Sequence, residues 1–107
     1  MRFLVVTKNN SPMHPGVAAA AMGAMAKWAE RYSAEGKFEQ MWSFAGLAGG
    51  GGIMNVDSLE ELDEIMTGFP LAPFSDVEII GLVDLYESLD RAAKVAGAAA
   101  AAMAAMA

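Results

Sequence analysis

Glu78 is the residue of this chain whose surroundings best suit proton transfer. It stands among apolar residues in Val77-Glu78-Ile79-Ile80, a segment with the composition of a β-strand. Burial raises the pKa of a carboxyl group toward neutrality, so a buried acid can take a carbon-bound proton and return it. The alternative is a structural carboxylate at the rim of a sheet, solvated or paired with Lys8 or Lys37. Asp76 would point the same way as Glu78, but it also stands where a residue would cap the preceding loop.

His14 is the only histidine, and it precedes the first predicted helix in Pro12-Met13-His14-Pro15-Gly16. Histidine can shuttle protons near pH 7, so His14 is a candidate assisting acid, although a lone loop histidine is usually a surface residue. There is no cysteine, and one histidine alone does not make a zinc site. The nine methionines are scattered, as gap-filling residues are, rather than grouped as copper ligands. We therefore predict no metal site.

Trp42 and Tyr86 could stack on a flat ring of a ligand or donate a hydrogen bond to the ligand. The alternative, equally compatible with the sequence, is that the two residues pack in the core of a dimer. The run Gly49-Gly50-Gly51-Gly52 does not indicate a phosphate-binding loop, because no Lys-Ser/Thr follows it. We predict that these glycines form a flexible hairpin or a place where a ligand approaches the backbone.

The composition limits the kinds of partner. At 107 residues the chain is one domain, and 55% hydrophobic against 19% charged residues is too apolar for a small domain to bury alone, which favours an oligomer. A net charge of -6 argues against nucleic-acid binding. The absence of cysteine is compatible with a reducing compartment, and the apolar run at the start is too short for a signal peptide or a membrane span. We expect a soluble cytoplasmic protein without a membrane or nucleic-acid partner.

The pattern of elements predicts a ferredoxin-like α+β fold. Strands are expected at about 3–7, 38–47, 53–56 and 77–85, and helices at about 17–35 and 59–66, in the order βαββαβ. In the second strand, alternation would place Phe38, Trp42 and Phe44 on one face. The helices cover one side of such a sheet. The other side should pack against the same side of a second subunit and enclose a space for a small ligand.

The end of the chain is an Ala/Met-rich segment. We predict a ferredoxin-like domain at 1–86 and a helical extension at 87–107, because alanine is the strongest helix former. The extension is expected to lie against a partner subunit; the alternatives are a crystal contact or a solvent-exposed extension.

The chain resembles the muconolactone isomerase family over roughly residues 1 to 85. The resemblance is carried by Glu35-Gly36, Trp42, Ala45-Gly46, Ser58, Glu60, Leu62, Pro70-Leu71-x-Pro73-Phe74-x-Asp76 and Glu78-x-x-Gly81-Leu82. It implies sheets paired into a dimeric α+β barrel and a larger homo-oligomer, up to a decamer. It also implies movement of a double bond in a small lactone by proton abstraction and return, without metal or organic cofactor. In this family, C-terminal segments reach over a neighbour's pocket.

Departures from the family pattern change the expected substrate. Leu4, Val6, Ser43 and Leu47 stand where the family has polar or basic residues, so no cation is available for a carboxylated lactone. We therefore expect isomerisation or cyclisation of a small, largely apolar cyclic compound. The candidate catalytic residues are Glu78 as base and His14. The candidate substrate-binding residues are Trp42, Tyr86, Phe44, Phe74 and Ser43.

Two other functions fit the same residues. One is a non-catalytic, oligomeric small-molecule-binding or scaffold protein with a degenerate site, which the missing basic residues favour. The other is a cofactor-free monooxygenase that shares the barrel and relies on aromatic residues rather than on a base.

Overall fold

The computed structural model, which describes residues 1–106, has the element order βαββαβα. The strands are β1 (Arg2–Asn9), β2 (Phe38–Ser43), β3 (Gly49–Asn55) and β4 (Ser75–Leu82). The helices are α1 (Pro15–Ala34), α2 (Leu59–Thr67) and α3 (Leu85–Ala105), and a 3-10 turn (Ala72–Phe74) leads into β4. None of the helices within residues 1–106 combines the length and the hydrophobicity needed to cross a membrane.

The four strands form one antiparallel sheet in the order β2-β3-β1-β4. This arrangement confirms the predicted α+β, ferredoxin-like fold. One row across the sheet runs Trp42, Gly51, Val6, Glu78, and the next runs Gln40, Ile53, Leu4, Ile80. Pairing of two such sheets into a barrel stays a prediction.

The core lies on one side of the sheet only. Val5 and Thr7 of β1 are buried under the helices, whereas Leu4 and Val6 point to the opposite side, called here the open face. The buried cluster contains Val5, Phe38, Met54, Val56, Leu62 and Ile65. Helix α2 contributes Leu62 and Ile65, and it begins at Ser58, whose side chain accepts a hydrogen bond from Glu61 N.

Strand β2 departs from the predicted alternation. The register shifts between Phe38 and Gln40, so Phe38 pairs with Met54 and Met41 pairs with Gly52. Both side chains then face the helices and pack in or against the core. The prediction that Phe38 shares a face with Trp42 is therefore wrong, because a β-bulge adds one residue to the strand.

Strand β3 begins four residues earlier than predicted. Gly49 to Gly52 are paired with β1, and Gly50 to Gly52 are paired with β2 as well, so the predicted flexible hairpin is wrong. A Cβ on Gly50 would lie 2.6 Å from Trp42 O, and one on Gly52 would lie 2.6 Å from Gln40 O. The backbones of the strands approach so closely here that glycine is required.

Helix α3 begins where the last strand was expected to continue. Asp84 caps it by accepting a hydrogen bond from Glu87 N at 2.9 Å. Tyr86 therefore lies on a helix and not on the sheet, and the helical extension begins at Leu85 rather than at residue 87. Every residue of α3 except Ser88 is exposed, and the described part of the chain extends over 69 Å along its long axis.

Candidate functional site

An apolar cleft of about 700 Å³ lies between α1 and the helix-facing side of the sheet. Methionine and aromatic side chains make up much of its wall: Met22, Met25, Trp28, Phe38, Met41, Phe44, Met66 and Phe69. This volume is typical of sites for small organic ligands. The cleft is on the side of the sheet opposite to the one that was expected to enclose a ligand.

The cleft exists because the residues on both of its walls are small. Helix α1 presents Ala26 and Ala29 to it, and β3 presents Gly50 and Gly52. None of the residues of α1 is fully buried, so the helix stands off the sheet. A small residue facing a glycine leaves a gap that a close-packed interior would otherwise fill.

Trp28 holds α1 to the rest of the domain by the second half of the helix. Its ring packs on Tyr32, Phe38 and Phe69 with centroid distances of 5.5, 5.2 and 5.3 Å. Its Nε1 donates to Ile65 O at 3.3 Å. The first half of α1, which carries Met22 and Met25, therefore forms the outer wall of the cleft.

The cleft has no titratable lining. Among residues 1–106, none of the side chains around it is an Asp, Glu, His, Lys or Arg. Its polar side chains include Thr7, whose Oγ1 donates to Gly50 O at 3.1 Å, and Asn9, whose Oδ1 accepts from Ser75 Oγ at 3.3 Å. Because an unpaired charge is costly to bury, such a cleft favours an uncharged ligand.

Glu78 lies on the open face, away from the cleft. It is exposed and borders a depression of about 240 Å³ together with Val6, Lys8, Asp76 and Val77. The sheet lies between Glu78 and the cleft of the same chain. Trp42 shares a row with Glu78, but three strand spacings of about 4.8 Å put the two backbones about 14 Å apart.

The structure brings together only some of the predicted site residues. Trp42, Ser43 and Phe44 line the cleft. His14 is exposed at the start of α1, where its Nδ1 accepts from Gly16 N at 3.1 Å and caps the helix. Phe74 is half-buried in the loop before β4, and Tyr86 on α3 is 80% exposed, so neither lines the cleft.

Asn9 and the methionines of α1 are lining residues that sequence reasoning misses. Asn9 looks like the first residue of a turn after a strand, and Met22 and Met25 look like ordinary core positions. The available signal was the run of glycines, because glycine inside a strand often marks a place that another group approaches.

Lys37 and Glu61 form an ion pair at 2.7 Å that joins β2's start to α2. The hydrogen bond between them lowers the pKa of Glu61 and raises the pKa of Lys37. Lys37 is thus engaged with Glu61, and the pair lies outside the cleft lining. Within residues 1–106, no group of three His, Cys, Asp or Glu side chains is arranged to hold a metal ion.

Comparison with known proteins gives the family. A family model described as muconolactone delta-isomerase matches residues 1–88. The chain belongs to this family. A crystal structure of muconolactone isomerase superposes with a TM-score of 0.73 at 29% identity, covering 78% of this chain and 90% of that one. A comparison with curated proteins found no match.

The muconolactone isomerase match ends near the start of α3. Residues 89–107, which include most of that helix, lie beyond the family model. The cleft, the glycine strand and Glu78 all fall inside the matched region.

Proposed function

We propose that this chain is a cofactor-free isomerase or cyclase that moves a proton on a small, uncharged, largely apolar cyclic compound. The observation that carries the proposal is the apolar cleft between α1 and the sheet in a member of the muconolactone isomerase family. Members of this family are oligomeric, and we propose a homo-oligomer here as well.

The lining of the cleft supports an uncharged substrate. A carboxylate bound there would lose its hydration without gaining a cationic partner, because the lining within residues 1–106 has no Lys or Arg. We therefore propose that muconolactone itself, a carboxylated lactone, is a poor substrate. A neutral lactone or ketone suits the cleft better.

Proton transfer needs a group that this lining does not supply. Glu78 stays our proposed base, and since the sheet separates it from the cleft of its own chain, it can act only across a contact between copies. The proposal therefore requires a contact between copies other than the pairing of open faces, because that pairing would leave a sheet between Glu78 and the clefts of both copies.

Solvent exchange tests the reaction. The full-length protein is incubated in D2O with a neutral five-membered unsaturated lactone, and deuterium uptake at the acidic C–H is followed by NMR. We expect exchange above the buffer rate, about a hundredfold slower exchange for Glu78→Gln, and no change for the exposed Glu60→Gln on α2. Exchange that Glu78→Gln leaves intact would remove Glu78 from the mechanism.

His14 needs a variant that preserves its structural contact. Asparagine is a strong helix N-cap, so His14→Asn should keep the hydrogen bond to Gly16 N while removing the imidazole. If His14 assists proton transfer, His14→Asn should have the stability of the wild type, but deuterium uptake by the lactone should be slower with the variant. Unchanged exchange would leave His14 with a capping role only.

A binding protein without catalysis is the second candidate, and it is favoured because no titratable side chain of residues 1–106 lines the cleft. This second proposal predicts that neutral cyclic compounds bind to the protein. It also predicts that none of them takes up deuterium faster with the protein than in buffer alone. Ala29→Phe, which fills the cleft, should abolish binding under both proposals.

A further inference from the structure

Asn9 is a cleft-lining residue whose side chain carries a hydrogen-bond donor. Asn9 ends β1, is half-buried and lines the cleft. Its Oδ1 accepts from Ser75 Oγ at 3.3 Å, and the amide keeps Nδ2 as a second polar atom that can donate. Within residues 1–106, Nδ2 has no hydrogen-bond partner that would compete for it.

The backbone around Asn9 is fixed from both sides. Asn9 N donates to Ala48 O at 2.9 Å, and Asn10 N donates to Phe74 O at 2.8 Å. Asn10 also donates through Nδ2 to Asp76 Oδ1 at 2.8 Å. The turn after β2 and the loop before β4 thus hold the end of β1 in place, so the Asn9 amide is positioned before a ligand arrives.

Other donors in the cleft are less suitable. The Thr7 hydroxyl donates to Gly50 O, and the Trp28 indole donates to Ile65 O. Ser43 and Trp42 are exposed at the end of β2, an edge strand, and are less shielded from water than the half-buried Asn9. A half-buried amide next to an apolar wall discriminates between ligands with and without a hydrogen-bond acceptor more strongly than an exposed group does. A ligand without an acceptor would leave the amide unpaired, which costs free energy.

We propose that Asn9 Nδ2 is the specificity-determining donor that binds the carbonyl oxygen of a neutral cyclic lactone or ketone in the cleft. This inference rests on the proposed function, since it takes the cleft as the substrate site. A donor at the carbonyl also stabilises the negative charge that develops on that oxygen when a proton leaves the adjacent carbon. The substrate class is thereby narrowed to ring compounds that carry a carbonyl acceptor and no carboxylate.

Three ring compounds of similar size test the proposal by calorimetric titration of the full-length protein. Coumarin is a neutral two-ring lactone, naphthalene lacks the carbonyl, and coumarin-3-carboxylate adds a charge. One neutral hydrogen bond corresponds to about a fivefold difference in affinity. We expect coumarin to bind about fivefold more tightly than naphthalene, and the carboxylate to bind more weakly than either.

Asn9→Ala should lower the affinity for coumarin about fivefold and leave that for naphthalene unchanged. Asn9→Asp keeps the size of the side chain and the oxygen that Ser75 contacts but loses the donor, so it should also lose the preference for coumarin. Asn55→Ala, which removes an exposed amide at the end of β3 outside the cleft lining, is the matched control. The infrared carbonyl band of bound coumarin should lie at lower frequency in the wild type than in Asn9→Ala.

The outcomes separate the two proposals. The role of Asn9 is overturned if Asn9→Ala and Asn9→Asp still bind coumarin more tightly than naphthalene and still lower the carbonyl frequency of bound coumarin. It is also overturned if Ser43→Ala, rather than the Asn9 variants, loses both properties. In either case the cleft remains the proposed substrate site. If the wild type binds none of the three compounds, or if Ala29→Phe binds them as well as the wild type, the cleft is not the substrate site and both proposals fail.

Discussion

Gly50 and Gly52 of β3 cannot take a side chain unless the neighbouring strand moves. Each would place a Cβ 2.6 Å from a carbonyl oxygen of β2. We expect Gly50→Ala and Gly52→Ala each to lower the free energy of unfolding by about 2 kcal/mol, as overpacked sites do. Urea titration at fixed protein concentration measures the change.

Gly23 is the matched control for these glycines. It lies in the interior of α1, and a Cβ there would meet nothing within 4 Å. Gly23→Ala should raise the free energy of unfolding by about 1 kcal/mol, because alanine costs less helix entropy than glycine. If all three variants behaved alike, close strand approach would not be the reason for the glycines of β3.

The Lys37–Glu61 pair should make stability depend on pH. Its hydrogen bond holds the pKa of Glu61 below its usual value of 4.5 in the folded chain. The stability that the pair contributes is therefore full above pH 4.5 and is lost as the pH falls through the lowered pKa. The raised pKa of Lys37 gives a second loss at the alkaline end, as the pH rises through that value.

Glu61→Gln tests this dependence by thermal unfolding between pH 3 and pH 7. The difference in Tm between the wild type and Glu61→Gln should shrink as the pH falls below about 4.5. Glu35→Gln, which removes the exposed Arg31–Glu35 pair, should change Tm little at any pH in that range. A constant difference for Glu61→Gln would mean that the pair does not stabilise the fold electrostatically.

At the scale of elements, α3 is exposed along its whole length except at Ser88, which is half-buried. Its second half, from Val95 to Met106, has no polar side chain, and Val95, Met103 and Met106 are 70%, 73% and 87% exposed. A helix that is apolar all round is normally buried. We therefore keep the prediction that this half lies against another copy.

Deletion of residues 95–107 should leave the free energy of unfolding of the monomer within about 0.5 kcal/mol of the full-length value, because every residue from 95 to 106 is exposed. The mass of the assembly, measured by light scattering, should fall. Lys94→Ala in the first half of α3 should change neither quantity. An assembly of unchanged mass would show that the second half of α3 makes no contact between copies.

The element order was predictable because apolar periodicity, the cap at Ser58 and the first-turn proline Pro15 mark it clearly. The errors came from positions where local signals mislead. Glycine has low strand propensity, so the sequence did not indicate that the glycines of β3 pair with strands on both sides. The bulge after Phe38 cannot be recognised from the alternation of residues in β2. Asp84 caps α3 inside an apolar run that resembles the continuation of β4.

The candidate site was harder to predict than the fold. Trp42, Ser43 and Phe44 line the cleft, but the cleft results from absent side chains, such as Ala26 and Gly52, on elements far apart in sequence. Glu78 lies on the open face, the side on which a space between two subunits was predicted, so its place in such a pocket stays a prediction.

At the scale of the whole molecule, the open face is the main apolar surface without a cover. Leu4, Val6, Ile53 and Ile80 lie there in adjacent rows, and Ile80 is 47% exposed. If two copies pair their sheets, Ile80→Lys should dissociate them without unfolding the chain, because a buried unpaired charge is costly. Sedimentation velocity measures the assembly, and circular dichroism checks the fold.

Leu59→Lys is the control for Ile80→Lys. Leu59 is 60% exposed in the first turn of α2, on the helical side of the sheet. It should leave the assembly intact. If Ile80→Lys also leaves the assembly intact, the predicted sheet-paired dimer is wrong.

Oxidation of the methionines that line the cleft should affect ligand binding. Met22, Met25, Met41 and Met66 line the cleft, and Met22 is 45% exposed. Peroxide converts such thioethers to polar, chiral sulfoxides, whereas the fully buried Met54 is shielded from it. Oxidation would thus make the wall polar while the core stays intact, so a preparation could remain folded and lose its affinity for apolar rings until a sulfoxide reductase restored it.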